Sequence, residues 1–242
     1  MSKIQVIGES CRDVFVYCDA VRLAPDLPVP VLQENRIETN PGMAANVQRN
    51  ILTQLTSCSL TTNKNWNSVT KTRYIHEQSN HLFFRVDTPH IIEPIDNLEL
   101  NLDADIIVIA DYNKGFLNES TIENICSLHD TVFLDTKKIL GTWAKEAAYI
   151  KINDYEYTKS IPFITKSMSN KLIHTRGSKG CDFGGVNYPV EDISVRDTSG
   201  AGDSFMAALV IEYLKNSDII ASIKSANLAA TKVVKTRGVG VI

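Results

Sequence analysis

A run of small and acidic residues near the C-terminal end of the chain carries the strongest chemical signal. It reads Asp197-Thr198-Ser199-Gly200-Ala201-Gly202-Asp203 and leads into an apolar helical stretch. Backbone amides of small residues at a helix start approach an anion closely, and the helix dipole favours negative charge there. A carboxylate beside such an anion site suits a base that takes a proton from a hydroxyl during phosphoryl transfer. Asp203 is therefore our candidate base, with Gly200, Ala201 and Gly202 as the candidate anion site.

A purely structural interpretation of this run is also open. Gly-rich turns commonly precede helices, and an acidic residue near a helix start stabilises the helix by itself. The run is not a dinucleotide-binding motif, because Phe205 takes the third Gly position, and no Gly-Lys-Ser/Thr of a Walker A loop follows it. The acidic residues on both sides of the Gly-Ala-Gly turn favour the chemical interpretation.

Length and composition are those of an ordinary globular protein. The chain has 242 residues, of which 43% are hydrophobic and 22% charged, enough for one substantial core. A net charge of −3 gives no electrostatic signature of a nucleic-acid or membrane-surface partner. No apolar run predicts a membrane helix or a secretory signal. The odd number of cysteines, five, without a C-x-x-C pair, favours free thiols and a cytoplasmic protein and argues against a zinc site.

Short Val/Ile-rich runs alternate with helical stretches along the chain. Runs at 3–8, 105–110, 132–135, 149–152 and 172–175 predict strands of a parallel sheet that is covered on both faces. Apolar residues spaced four apart predict a helix that starts at Pro41. Asn118 is expected to cap a second helix, and a last helix is expected to begin near Ser217. This alternation predicts an α/β layered fold.

Two segments break this alternation, at about 13–36 and 69–88. They are rich in β-forming residues, and Pro25 and Pro28 exclude a helix in the first of them. Residues 69–75 and 81–86 are typical of a hairpin around Gln78-Ser79-Asn80. We predict a small separate β-sheet, a lid, within a single domain that spans residues 1–242. An edge extension of the main sheet is the alternative.

The full D-T-x-G-A-G-D pattern resembles that of the PfkB/ribokinase family of carbohydrate kinases. Other segments fall in the order of that family's motifs, over nearly the whole chain: Gly8…Asp13, 41–46, 111–115, Asn153…Glu156, 175–177 and 237–240. Within the family, segments 22–31 and 82–87 look most like those of the heptose-7-phosphate kinases. The resemblance implies a ribokinase-like three-layer α/β/α fold with a mainly parallel central sheet and a small β lid.

The resemblance also implies an activity and residue roles. The activity is transfer of the γ-phosphoryl group of ATP, with Mg²⁺, to a hydroxyl of a sugar or sugar phosphate. The acceptor-side candidates are Asp13, Gly42, Asn46, Arg85, Asp111 and Lys114. The nucleotide-side candidates are Lys137, Asn153, Thr175, Gly177, Gly180, Asn227 and Gly240. Asn153 and Glu156 are the candidates for magnesium, and a monovalent cation near Asp197 is also considered.

Each of these roles has a structural alternative. Asn153 and Glu156 could cap a short helix, and Asp13 could cap a turn. The basic candidates Arg85, Lys114 and Lys137 could be solvated surface side chains.

Three departures from the family pattern concern the acceptor side. Met43 stands where the family has a second Gly, Glu9 replaces an Asp, and one strand–helix unit is missing after Leu55. We expect these changes to alter the acceptor pocket more than the phosphate site. Two other functions stay open: a non-catalytic nucleotide- or sugar-binding protein, and a kinase of an unphosphorylated sugar or nucleoside. A homodimer that pairs two lids is a further expectation.

Overall fold

The strands of the protein form two separate sheets. The computed structural model describes residues 3–88, 91–236, 238 and 240–242. In chain order the strands are β1 (Ile4–Gly8), β2 (Ser10–Leu23), β3 (Pro30–Met43), β4 (Ser59–Thr61), β5 (Thr70–His76), β6 (Leu82–Asp87), β7 (Ile106–Asp111), β8 (Val132–Thr136), β9 (Tyr149–Asn153), β10 (Leu172–Thr175), β11 (Cys181–Phe183) and β12 (Val186–Tyr188). The α-helices are α1 (Ala44–Ile51), α2 (Glu119–Leu128), α3 (Asp154–Ser160), α4 (Lys166–Ser169), α5 (Ala201–Asn216) and α6 (Ile219–Val233).

The central sheet has the strand order β12-β11-β10-β9-β8-β7-β1-β4. Six neighbouring strands of this sheet pair in parallel: β4, β1, β7, β8, β9 and β10. The strands β11 and β12 add an antiparallel edge. Parallel strands place their carboxyl ends at one edge of a sheet, where ligands of α/β proteins bind. The predicted mainly parallel sheet is confirmed.

The central sheet is buried on both faces, as its continuous apolar strands predict. In β7, Ile107 and Ile109 join a cluster on one face with Ile122 and Ile125 of α2. The alternate residue Val108 joins a second cluster with residues of α1, α5 and α6 on the other face. Because successive strand residues point to opposite faces, this division shows three layers with helices on both sides of the sheet. Within the described residues, no helix is both long and apolar enough to cross a membrane.

The second sheet is the lid, with strand order β3-β2-β5-β6. The long strands β2 and β3 pair antiparallel along their length, and β5 and β6 form the expected hairpin. The lid is thus a separate sheet rather than an edge extension of the central one. That residues 1–242 make a single domain stays a prediction.

The helix predicted from Pro41 begins later than expected. Pro41 and Gly42 still pair with Arg12 and Cys11 of β2, so β3 runs to Met43 and α1 begins at Ala44. The sequence spacing indicated the correct helix face but not its start, because the ladder to β2 prevails over helix periodicity at these residues. Of the described segment between α1 and β5, only β4 is regular structure.

Candidate active site

A cavity of about 470 Å³ lies at the carboxyl ends of β8, β9 and β10, between the lid and the first turn of α5. Eleven of the residues proposed from the sequence line it: Asp13, Lys137, Asn153, Thr175, Gly177, Gly180, Gly200, Ala201, Gly202, Asp203 and Asn227. These residues come from the lid, from three strand ends and the loops after them, from α5 with the turn before it, and from α6, and the fold brings them together around one space.

Asp203 lies in the first turn of α5 and is buried. Its Oδ2 accepts a hydrogen bond of 2.8 Å from Asn46 Nδ2, and its Oδ1 accepts one from the Tyr112 hydroxyl. Burial raises the pKa of this carboxyl, and the hydrogen bonds from Asn46 and Tyr112 act in the opposite direction. The resulting carboxylate is oriented through both oxygens and faces the cavity, as a base would require.

The turn before Asp203 places backbone amides at the start of α5, and the Ala201 amide among them donates to the Thr198 carbonyl at 3.2 Å. Gly200 has a φ of 77°, which glycine adopts at no steric cost, and no side chain caps the start of α5. An uncapped helix start offers N–H groups and a positive dipole end to an anion. A Cβ at Gly202 would lie 3.3 Å from Lys151 Nζ, so Lys151 adds a cation beside these amides.

Lys151 and Asp135 form a buried ion pair that the sequence analysis did not include in the site. Lys151 Nζ lies 2.6 Å from Asp135 Oδ2, and both side chains are more than nine-tenths buried. The other carboxylate oxygen of Asp135 is buried and has no hydrogen-bond partner. A lysine inside the apolar run 149–152 was the available signal, because a charge in a buried strand requires a partner.

Asn153 and Glu156 form a capping box at the start of α3. Asn153 Oδ1 accepts from the amides of Tyr155 and Glu156, and Glu156 Oε2 accepts from the Asn153 amide at 2.7 Å. Glu156 Oε1 also lies 3.0 Å from Lys137 Nζ. The structural alternative for this motif is thus realised, while Asn153 still lines the cavity. Among the described residues, no three His, Cys, Asp or Glu side chains form a metal cluster.

Lys137 lies on the nucleotide side of the cavity and is charged. Burial lowers its pKa, but the carboxylates of Asp135, Glu156 and Asp203 outweigh this effect and the net direction is upward. Lys137 is therefore a cation held beside the phosphate end of the cavity rather than a fully solvated surface lysine.

The lid supplies the other end of the cavity. Asp13 is buried, and its Oδ1 lies 2.7 Å from Arg73 Nη1. A Cβ at Gly42 would lie 2.4 Å from Asp13 Oδ2, so only glycine leaves room for this carboxylate. Lys71 and Arg73, which sequence reasoning missed, both line the cavity from β5. Lys71 and Arg73 are two residues apart along β5, and Lys71 pairs with Asp13 of β2. Both side chains therefore lie on the same face of the lid as Asp13.

Five acceptor-side candidates lie outside the residues that line this cavity: Gly42, Asn46, Arg85, Asp111 and Lys114. Asp111 is buried and is bound by Thr136 Oγ1 at 2.5 Å and by Lys138 Nζ at 3.0 Å. Lys114 has an exposed side chain. Arg85 is half exposed and forms an ion pair with Asp87 at 2.8 Å. Asp111 is thus held at the end of β7 by Thr136 and Lys138, while Lys114 and Arg85 stand outside the cavity lining.

The nucleotide-side candidates frame the opposite end of the cavity. Asn227 Nδ2 donates to the Tyr188 carbonyl at 2.9 Å. Gly180 has no room for a side chain, because a Cβ there would lie 2.0 Å from that same carbonyl oxygen. Gly240 packs against Thr236 and Val233, outside the cavity lining. Apolar residues that the sequence analysis did not select also line this end: Val190, Ile193, Val195, Ala230 and Val234.

Asp197 stabilises the turn before α5 and does not line the cavity. Its Oδ1 accepts from the Ser199 amide at 2.8 Å, and its Oδ2 accepts from the Gly238 amide at 3.1 Å. A monovalent cation near Asp197 stays a prediction. Arg237 and Val239 of the closing motif lie outside the described residues.

Met43 holds a backbone conformation that L-residues rarely adopt. Its φ is 61° and its ψ is −131°, and its buried side chain lines the cavity. Strain of this kind costs about 1–3 kcal/mol and concentrates at functional sites. The side chain at this position occupies space that a glycine would leave to the acceptor.

Met43→Gly is expected to be more stable than Met43→Ala by about 1 kcal/mol in free energy of unfolding, measured by urea denaturation. Both variants remove the side chain, but only glycine relieves the positive φ. The control Ala45→Gly within α1 should change stability in the opposite direction, because glycine is unfavourable inside a helix. If Met43→Ala were as stable as Met43→Gly, the positive φ at position 43 would not strain the backbone.

Comparison with known proteins agrees with this geometry. A family model described as "pfkB family carbohydrate kinase" matches residues 96–241, which include β7 to β12 and the whole first turn of α5. The chain belongs to the pfkB family. Members of this family are carbohydrate kinases, phosphotransferases that use an alcohol group as the acceptor.

Curated relatives and solved structures extend the likeness beyond this segment. The bifunctional protein HldE of Bradyrhizobium diazoefficiens is 24% identical over 98% of this chain, and that of Helicobacter pylori strain G27 is 25% identical over 98%. The chain spans only 60% and 64% of the length of these two proteins.

Solved structures of the same fold cover nearly the whole chain. Ribokinase from Thermotoga maritima matches 99% of this chain and 95% of its own, with a TM-score of 0.72 at 14% identity. Arabidopsis thaliana ribokinase, solved with ribose and ATP, matches 99% of this chain and 95% of its own, with a TM-score of 0.68 at 14% identity. These likenesses confirm the ribokinase-like fold.

Proposed function

We propose that this member of the pfkB family is an ATP-dependent kinase of a sugar or sugar phosphate. The observation that carries the proposal is the placement of Asp203. Its buried carboxylate is oriented by two hydrogen bonds and stands between the amides of Gly200–Gly202 and the polar lid residues. A hydroxyl that enters from the lid side reaches the base, and a phosphoryl group at the start of α5 reaches the amides.

The chemistry is one in-line phosphoryl transfer. The acceptor oxygen forms a bond to the γ-phosphorus of ATP as the bond from that phosphorus to the β,γ-bridging oxygen breaks. The hydroxyl proton passes to Asp203, and ADP leaves. The amides of Gly200–Gly202 and the ammonium of Lys151 stabilise negative charge on the transferring group. Lys137 binds phosphate from the nucleotide side.

Magnesium fits this site through one carboxylate. The partnerless Oδ1 of Asp135 is an oxygen of the type that Mg²⁺ prefers, and Mg²⁺ usually takes one or two protein carboxylates together with phosphates and water. Asn153 and Glu156 use their side-chain oxygens within the capping box and with Lys137. When bound, the ion would neutralise charge on the nucleotide phosphates. We therefore assign Asp135 as the more suitable ligand.

The acceptor we propose is phosphorylated, as in heptose 7-phosphate. Lys71 lines the acceptor end, and within the described part of the chain no carboxylate forms an ion pair with it. Arg73 stands on the same face, paired with Asp13. An unpaired lysine beside the acceptor space matches an anionic group on the substrate. The resemblance of segments 22–31 and 82–87 to those of the heptose-7-phosphate kinases supports the same substrate class.

An ADP-release assay over sugars and sugar phosphates tests this proposal, with Lys71→Met as the variant. We expect Lys71→Met to raise KM about 10-fold or more for a phosphorylated acceptor, because a hydrogen bond to a charged group is lost. The KM for an unphosphorylated sugar should not change. If Lys114→Met raises this KM and Lys71→Met does not, the phosphate group of the acceptor binds outside the cavity. Nucleotide binding without ADP release on any acceptor would identify a non-catalytic binding protein.

The proposed homodimer would use the outer face of the lid. Ile37, Phe84 and Val86 are about half exposed there. Strand register places them on one face with Val16 and Tyr74. Sedimentation equilibrium tests this association, and a monomer at all concentrations would refute it. Cytoplasmic location also stays a prediction.

A further inference from the structure

Tyr112 stands at the junction between the two ends of the cavity. Its ring centre lies 5.6 Å from Lys71 Nζ on the acceptor side and 5.9 Å from Lys137 Nζ on the nucleotide side. Its hydroxyl donates a hydrogen bond to Asp203 Oδ1. Tyr112 follows the last residue of β7 within the segment 111–115 that resembles a family motif, but that resemblance gave it no role.

The backbone that carries Tyr112 is fixed by Glu9. The fully buried carboxylate of Glu9 accepts hydrogen bonds from the amides of Tyr112 at 2.7 Å, Lys114 at 2.8 Å and Phe116 at 3.3 Å. Three donors on one carboxylate hold the loop after β7 in a single arrangement. The Tyr112 hydroxyl is therefore aimed at Asp203 by a rigid support rather than by chance contact.

The Tyr112 hydroxyl is a permanent donor to the base. Burial raises the pKa of Tyr112 well above its ordinary value, and the neighbouring Asp203 and Asp135 carboxylates act in the same direction. Tyr112 thus stays protonated over the whole working range of pH. Asn46 donates to the other oxygen of Asp203 at 2.8 Å, so each oxygen has one donor and keeps a lone pair for the acceptor hydroxyl.

We propose that Tyr112 is a positioning residue, whose hydroxyl orients the Asp203 carboxylate and keeps it ionised in a buried site. The proposal rests on the proposed role of Asp203 as the base. Without the hydroxyl, burial would favour the neutral acid, which cannot take a proton from the acceptor. The other groups that act on Asp203 are Asn46 by its hydrogen bond, and Asp135, Lys151 and Lys137 by their charges.

The test titrates Asp203 directly by ¹³C NMR of aspartate carboxyl carbons, in the full chain without ligands. The resonance is assigned by its loss in Asp203→Asn. In Tyr112→Phe the midpoint should move upward by about one to two pH units, the effect of losing one hydrogen bond to a charged group. Tyr112→Leu, which also removes the hydroxyl, is titrated alongside so that the result does not depend on one variant folding. Tyr149→Phe, at a partly buried tyrosine packed against the core, should leave the midpoint unchanged.

The same variants are compared in the ADP-release assay. With an accepted substrate, the acid limb of the kcat/KM profile of Tyr112→Phe should move upward with the NMR midpoint. An unmoved Asp203 midpoint in Tyr112→Phe and Tyr112→Leu overturns the proposal, whether or not the protein phosphorylates an acceptor. A wild-type protein that phosphorylates nothing, but whose Asp203 midpoint responds to Tyr112→Phe, would refute the kinase function and leave the positioning role standing.

Discussion

Replacing Asp203 with Asn is expected to lower kcat by about 10²–10⁴-fold while ATP still binds. The amide keeps the shape of the side chain but cannot accept the hydroxyl proton. Because burial raises the pKa of Asp203, kcat/KM of the wild-type protein should fall as the pH is lowered through that raised value, where the base becomes protonated. Steady-state kinetics and calorimetric titration of ATP measure the two effects separately.

Asp218→Asn is the matched control for this substitution. Asp218 also lies at a helix start, where its side chain accepts from the amides of Ile220 at 2.8 Å and Ala221 at 3.2 Å. Asparagine caps a helix as well as aspartate does, so stability and kcat should both be unchanged. If Asp203→Asn retained the wild-type kcat, Asp203 would not be the base and the structural interpretation of the run 197–203 would stand.

Replacing Lys151 with Met is expected to affect stability and turnover together. The carboxylate of Asp135 would stay buried without its cation, which costs about 3–5 kcal/mol in free energy of unfolding. The lysine also stands beside Gly202, so its loss should lower kcat by about 10²-fold through weaker stabilisation of the transferring group. Urea denaturation and kinetics under folding conditions measure the two losses.

The double variant Lys151→Met with Asp135→Asn separates the two effects. Removing both charges should restore most of the lost stability, because no uncompensated charge stays buried, while turnover should stay low. Full activity in the folded double variant would show that the transfer needs neither the charge of Lys151 nor magnesium binding by Asp135. If the single variant Lys151→Met were as stable as the wild type, the ion pair between Lys151 and Asp135 would be refuted.

The sequence could predict the fold and the turn into α5 because both are encoded locally. The strands are continuous apolar runs, and the turn, the helix start and Asp203 lie within seven consecutive residues, 197–203. Asn118 was likewise predicted to cap α2, and its side chain accepts from the Thr121 amide at 2.8 Å. Such features depend on neighbours in the chain, so a pattern is enough to find them.

The acceptor end could not be predicted in the same way. The lid folds over the end of β7 and so brings together Lys71, Arg73 and Tyr112. No local pattern in the sequence assigns these three polar residues to the acceptor end. Asp111 is a different case, and its predicted ligand contact stays a prediction. Its place at a strand end predicted a ligand contact, but Lys138, which also follows a strand end, pairs with it at 3.0 Å.

The structure shows what two departures from the family pattern, Glu9 and Met43, contact. Glu9 reaches the three amides of the loop after β7 and thereby positions Tyr112. Met43 places a strained, buried side chain against the cavity. Both changes lie on the lid side of the site and beside Tyr112, while the start of α5 has no side-chain cap.

The most direct test of the account is ³¹P NMR of the protein with ATP, Mg²⁺ and a panel of sugars and sugar phosphates that includes heptose 7-phosphate. The account predicts a new phosphate ester on the acceptor, formed in equal amount with ADP, and its loss in Asp203→Asn. Release of inorganic phosphate with every acceptor unchanged, or formation of the ester by Asp203→Asn at the wild-type rate, would contradict it.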